Sequence, residues 1–174
     1  MKTYAGIGTR ELPNDFAIMF TKLAIYLSEQ SFTLLSGGAS GSDMAFEKGA
    51  GSNKVIFLPW NNFNGKMVDG KTFRLALPEA NKYVVKYHPN ASALSQGGFK
   101  LMARNSHQVL GVDLKSPVSF VICYTKNASG SGGTGQALRI AKDNNIPIFD
   151  CGAYKSADDC FEPLNDFILQ HKKV

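Results

Sequence analysis

Three times along this chain a short apolar run ends in a glycine-rich turn, and the turn opens onto a helical pattern. Tyr4-Ala-Gly-Ile7 runs into Gly6-Ile-Gly-Thr-Arg10, Phe32-Thr-Leu-Leu35 into Ser36-Gly-Gly-Ala-Ser-Gly41, and Pro117-Val-Ser-Phe-Val-Ile-Cys123 leads on to Gly130-Ser-Gly-Gly-Thr-Gly135. Strand, tight turn and helix in that order is the β-α unit of a parallel sheet, joined by right-handed crossovers. The pattern predicts an α/β, Rossmann-like three-layer fold: a mostly parallel sheet with helices on both faces. Strands are expected at Tyr4–Ile7, Phe32–Leu35, Lys54–Leu58, Tyr83–Tyr87, Pro117–Cys123 and Ile146–Phe149. Helices are expected from Asn14 or Asp15, as cap, to Ser31, over Ser42–Gly49, over Ala91–Leu94 and Gly98–Leu110, over Thr134–Asn144 and over Phe161–His171. No repeat or linker divides the sequence, so residues 1–174 read as a single domain.

Of the 174 residues, 44% are hydrophobic and 19% charged, below the roughly 25% charge usual in soluble domains, which excludes a disordered chain. The first residues lack the apolar core of a signal peptide, and no run approaches a membrane span. A soluble, cytoplasmic protein with no membrane partner is expected. Cys123, Cys151 and Cys160 fit neither a disulfide framework nor a zinc site and read as reduced thiols. No histidine or cysteine spacing suits a metal, so the reading implies neither metal nor cofactor. The net charge of +5 favours an anionic partner, a phosphate-bearing small molecule or a nucleic acid. Lys172-Lys173 reads as a solvated tail.

In open α/β sheets ligands bind beyond the carboxyl ends of the strands, where the strand order reverses. The three glycine turns belong on that rim. Their backbone N–H groups, with the partial positive charge of the helix that follows each turn, suit a phosphate. Gly8, Thr9, Ser36, Gly37, Gly38, Gly41, Ser131, Gly132, Gly133 and Thr134 form the expected cradle. Arg10 and Arg104 supply charge, with Asn105 beside Arg104 on the polar face of its helix. Asp43 is either a helix cap or a holder of a ribose hydroxyl. None of the turns is a Walker A loop, and the first lacks the third glycine of a dinucleotide fingerprint, so ATPase and ordinary dehydrogenase readings fall. His107 reads as structural more readily than functional. The polar stretch Trp60–Asp69 reads as a surface excursion. Trp60, Phe63, Lys66 and Lys71 form a stacking-and-charge strip for a single strand, or Trp60 simply packs on the sheet.

Tyr4-Ala-Gly-Ile-Gly-Thr-Arg10, Leu34-Leu-Ser-Gly-Gly-Ala-Ser-Gly-Ser-Asp43, Ala103-Arg-Asn105 and Ser131-Gly-Gly-Thr-Gly-Gln136 together resemble the SLOG superfamily over about residues 3–150. Its members include the DNA-processing protein A, YpsA-like and Lonely guy phosphoribohydrolase families. The second and third motifs are most similar to the DNA-processing and YpsA-like branches. The resemblance implies a Rossmann-like sheet whose glycine loops hold nucleotides, nucleotide-derived signals or, in the DNA-processing branch, single-stranded DNA. It also implies a homo-oligomer. The phosphoribohydrolases carry a pair of glutamates soon after the third glycine loop, where this chain has Leu138 and Arg139. N-glycosidic cleavage needs a carboxylate, and Asp43, Glu47, Glu11 and Asp69 are the candidates to replace it. The chain is too short for both extra modules often found in the DNA-processing family. The leading expectation is a protein that binds a nucleotide or nucleotide-derived ligand. The alternatives are a nucleoside 5′-monophosphate N-glycosidase and a single-stranded-DNA binder.

Overall fold

The structure is a computed structural model and describes residues 1–172. Six strands, β1 (Lys2–Gly8), β2 (Phe32–Ser36), β3 (Lys54–Leu58), β4 (Phe73–Leu75), β5 (Val121–Tyr124) and β6 (Ile148–Asp150), form one sheet in the order β4-β3-β2-β1-β5-β6. Every pairing is parallel. The central strands are buried on both faces, hence their unbroken apolar runs.

Helices cover each face. On one side α1 (Asn14–Glu29), α2 (Ser42–Ala50) and α6 (Ala157–His171) close a core built on Tyr4, Phe16, Phe20, Phe46 and Phe120. On the other, α3 (Asn81–Tyr87), α4 (Gln96–Leu110) and α5 (Thr134–Asp143) close one built on Ile7, Phe57, Val84, Val109 and Ile140. The three-layer, Rossmann-like expectation holds. No helix among the described residues is long and apolar enough to cross a membrane.

Several local expectations give way. Tyr83–Tyr87 is helix, not strand. The two tyrosines stack at 6.3 Å on one helical face while Val84 is buried, a spacing of four that an alternating reading mistakes for β. The sixth strand is instead β4, three residues joined to the sheet edge in the register Ile56↔Phe73. Neither Asn14 nor Asp15 caps α1, whose N-cap position is Pro13. Asp15 instead accepts from the Ala157 N–H at 2.8 Å, tying the start of α6 to the start of α1. Ser156 caps α6, so that helix begins four residues before Phe161 and carries Pro163 within it. Lys172 is no free tail: its ammonium donates to the Tyr26 hydroxyl at 3.1 Å, while Lys173 lies outside the described residues.

Candidate functional site

β1 has β2 on one side and β5 on the other, so the winding direction reverses between β1 and β5. A cavity of about 320 Å³ opens there, beyond the strands' carboxyl ends. Ile7–Arg10 line it from β1, Tyr124–Lys126 from β5, and Ser131–Thr134 from the start of α5. Leu101, Met102, Arg104, Asn105 and Gln108 reach it from α4, Ala39 from the β2–α2 turn and Asp43 from the first turn of α2. Of the residues expected from sequence, Gly8, Thr9, Arg10, Asp43, Arg104, Asn105, Ser131, Gly132, Gly133 and Thr134 meet in this one place.

Ser36, Gly37, Gly38 and Gly41 do not line the cavity; they lie behind it. The Ser36 hydroxyl is fully buried and donates to the Gly6 carbonyl at 2.6 Å, joining β2 to β1. Gly37 lies so close under Arg104 that a side chain there would collide with the guanidinium and with the Gln108 amide. Gly38 rests on Ile56 and Leu58, and its carbonyl accepts from Asn64 at 3.0 Å. Gly41 backs onto the Thr9 and Arg10 carbonyls, and the Ser42 hydroxyl and N–H both donate to the Thr9 carbonyl at 2.9 and 3.0 Å. The second glycine turn therefore supports the Thr9–Arg10 turn and α4, and these carry the lining groups.

Arg104 and Asp43 form the charged floor. Both are buried. Burial pushes the Asp43 carboxyl above the ordinary carboxylate value, opposed by the Arg104 charge and the Ala39 and Gly37 N–H groups. Asp43 is no N-cap, since that position is Gly41; it accepts from the Ala39 N–H at 3.2 Å. Burial likewise works against the Arg104 charge, with Asp43 supporting it and Arg10 opposing it. Arg104 donates to the Asn105 side-chain oxygen, and the Gln108 carbonyl, oriented to face it, accepts from Arg104 Nη1 at 2.9 Å and the Gly37 N–H at 3.0 Å. The Nε of Arg104 is buried without a partner among the described residues.

The wall facing this floor is the β5–α5 turn. Thr125 anchors it: its N–H and hydroxyl both go to the Asp150 carboxylate, the former at 2.9 Å, and its oxygen accepts from the Gly130 N–H at 3.0 Å. Asn105 grips the other end, donating to the Gly133 carbonyl at 2.9 Å. Among the described residues the N–H groups of Gly132, Gly133 and Thr134 meet no protein acceptor. They are the unpaired amides at the positive end of α5. Exposed Arg10 and Lys126 flank them.

Gln108, Tyr124, Thr125 and Lys126 were missed by sequence reasoning. Lys126 and Thr125 follow the end of β5 directly, so their place on the carboxyl rim was the available signal. Gln108 has the helical spacing of four from Arg104. The acids divide cleanly. Glu11 is exposed and does not line the cavity. Glu47 is held by Lys54 at 3.2 Å and Lys66 at 3.6 Å, away from the cavity. Asp69 closes the turn into β4 by accepting from the Lys71 and Phe73 N–H groups. Only Asp43 among the four lines the cavity.

The expected stacking strip does not assemble. Phe63 is buried, Lys66 is engaged with Glu47, and the β3–β4 register puts Lys71 beside the start of β3, at the opposite rim. Trp60 remains, 39% exposed. His107 is structural: it stacks on Phe57 at 4.8 Å, accepts from the Leu77 N–H at 3.0 Å and donates to the Gly111 carbonyl at 2.9 Å.

A wholly parallel sheet with helices on both faces and a cavity at its switch point defines a Rossmann-like α/β protein. No protein-family model and no curated protein matches the sequence. Among solved structures the chain is similar to DNA processing protein A from Helicobacter pylori, for which a single-stranded DNA binding mode has been described. That match has 19% identity and a TM-score of 0.55, over 95% of this chain and 72% of that one. It is also similar to DNA processing protein A from Streptococcus pneumoniae, at 18% identity and a TM-score of 0.58, over 97% of this chain and 60% of the other. At these identities the likeness is one of fold.

Proposed function

We propose that this chain binds single-stranded DNA and that the switch-point cavity holds one phosphate-bearing nucleotide of the strand. The observation that carries the reading is the open array on the β5–α5 turn. Gly132, Gly133 and Thr134, whose N–H groups at a helix start meet no acceptor among the described residues, line a cavity flanked by Arg10 and Lys126 and floored by Arg104. A phosphate satisfies the amides, gains from the helix dipole and meets the two exposed cations. The described binding mode of the Helicobacter pylori neighbour supports placing that phosphate in a DNA strand. The order of the glycine and Arg-Asn motifs supports a place in the SLOG superfamily, as one Rossmann-like domain acting in the cytoplasm as a homo-oligomer.

The size of the cavity favours a second reading. About 320 Å³ is near the lower end of the roughly 300–1,000 Å³ of small-ligand sites, which suits a free nucleotide. Asp43 is the one acid placed to act on such a ligand, which keeps N-glycosidic hydrolysis as an outcome to look for.

Fluorescence anisotropy of labelled oligo-dT, with dTMP and AMP as competitors, separates the two. Strand binding predicts affinity that rises with length from dT2 to dT6 and falls with salt. Each phosphate neutralised contributes about −0.7 to the slope of log K against log salt. Competition by a mononucleotide as strong as that by dT6 would overturn the strand in favour of the free nucleotide. Release of free base from the competitor would move the account to the hydrolase.

A further inference from the structure

Trp60 is the sole tryptophan of the chain, and it follows the end of β3, on the same carboxyl rim as the cavity. At 39% exposure it is solvated, yet it is held from two sides. Phe63 meets it edge-on at 5.3 Å, and its six-membered ring lies against the first turn of α4, where a methyl added to Gly97 would stand 3.6 Å from Cζ3. An exposed aromatic fixed in this way stacks on a ligand at little entropic cost.

Helix α4 then connects the indole to the cavity. Gly97 and Leu101 are four residues apart and share a face, about 6 Å along the axis, and Leu101 lines the cavity. Lys100, on the same part of that helix, is exposed and makes no ion pair among the described residues. Across the sheet, β3 stands two strands from β1, about 10 Å. Indole, free ammonium and cavity thus follow one another along the rim.

We infer that Trp60 is a stacking platform for the base next to the nucleotide held in the cavity, with Lys100 meeting the phosphate between them. This rests on the single-stranded-DNA reading and gives the strand a path: from the cavity, along the start of α4, towards the end of β3. Unlike the strip expected from sequence, it puts neither Phe63, which only braces the indole, nor Lys66 nor Lys71 against the strand.

Because Trp60 is the only tryptophan, its emission reports the contact directly. The test pairs anisotropy of labelled dT6 with tryptophan emission of the unlabelled complex. The inference predicts quenching by dT6 and none by dTMP, which fills the cavity without reaching the indole. Trp60→Leu is expected to weaken dT6 binding by roughly 5- to 150-fold, the equivalent of a stacked base's roughly 1–3 kcal/mol, and Trp60→Tyr to restore most of it. Lys100→Gln is expected to flatten the salt slope by about 0.7. If dT6 binds with unchanged emission, or binds Trp60→Leu as tightly as the native chain, the platform is refuted and the strand reading stands. If dT6 does not bind the native protein at all, the strand reading itself fails. The emission measurement needs no variant, so a Trp60→Leu protein that does not fold leaves the test intact.

Discussion

Gly41 and Gly51 bracket α2 with nearly the same backbone, φ 77° and ψ −120° at the first, φ 59° and ψ −120° at the second. Alanine at either site enters a region closed to side chains, at a cost of about 1–3 kcal/mol. What differs is the space. A methyl at Gly51 meets nothing within 4 Å, whereas one at Gly41 would stand 2.5 Å from the Thr9 carbonyl oxygen and overlap that of Arg10. Overpacking of this kind adds about 1–3 kcal/mol. Subtracting one variant from the other removes the common strain and leaves the push on the Thr9–Arg10 turn. Gly41→Ala should therefore melt about 2–12 °C below Gly51→Ala, at about 2–4 °C per kcal/mol for a chain of this size. It should also lose dT6 affinity that Gly51→Ala keeps, since the displaced turn carries Arg10. Calorimetry with anisotropy on the two proteins decides it. Equal melting temperatures, or equal affinities, would refute the claim that the second glycine turn serves the site by supporting the first.

Other expectations follow from the same geometry. Arg104→Met removes a positive charge that opposes the burial penalty on Asp43 and should lower stability, with part of the loss recovered by adding Asp43→Asn; denaturant unfolding of both proteins measures it, and no recovery would break the link. Burial holds the His107 pKa below its ordinary value, so its contribution to stability is present above about pH 6.5 and lost as the pH falls through the lower folded value. An NMR titration of its ring with a midpoint above 6.5 would contradict the neutral, doubly bonded ring. Arg10→Ala and Lys126→Ala should each weaken oligo-dT binding and flatten the salt slope by about 0.7, read by anisotropy across salt; unchanged slopes would remove those side chains from the phosphate contact.

Much of this fold was legible because parallel strands buried on both faces must be continuously apolar and must alternate with helices. Phe32–Leu35 and Lys54–Leu58 allow little else. Phe73–Leu75 escaped because three residues at a sheet edge, one of them Arg74, carry no apolar run; their place is set by pairing with β3. Tyr83–Tyr87 misled because alternation and a spacing of four coincide over five residues, and the choice was made by Val84 packing into the core. In the site, the first and third glycine turns with Arg10 and Arg104 could be read from type and position. The supporting part of Ser36, Gly37, Gly38 and Gly41 could not, since glycine that approaches a ligand and glycine that approaches Arg104 look alike in one dimension. Gln108 was hidden for the same reason: its value lies in what it touches across the fold.

An anion resting at the start of α5 is the centre of the proposed site, and amide NMR tests it most directly. With ¹⁵N-labelled protein and dT6, the N–H resonances of Gly132, Gly133 and Thr134 should move first and furthest, as free amides acquire phosphate acceptors. Shifts confined to another face, such as the apolar groove between α1 and α6 around Ile18 and Phe161, with those three amides unmoved, would contradict it.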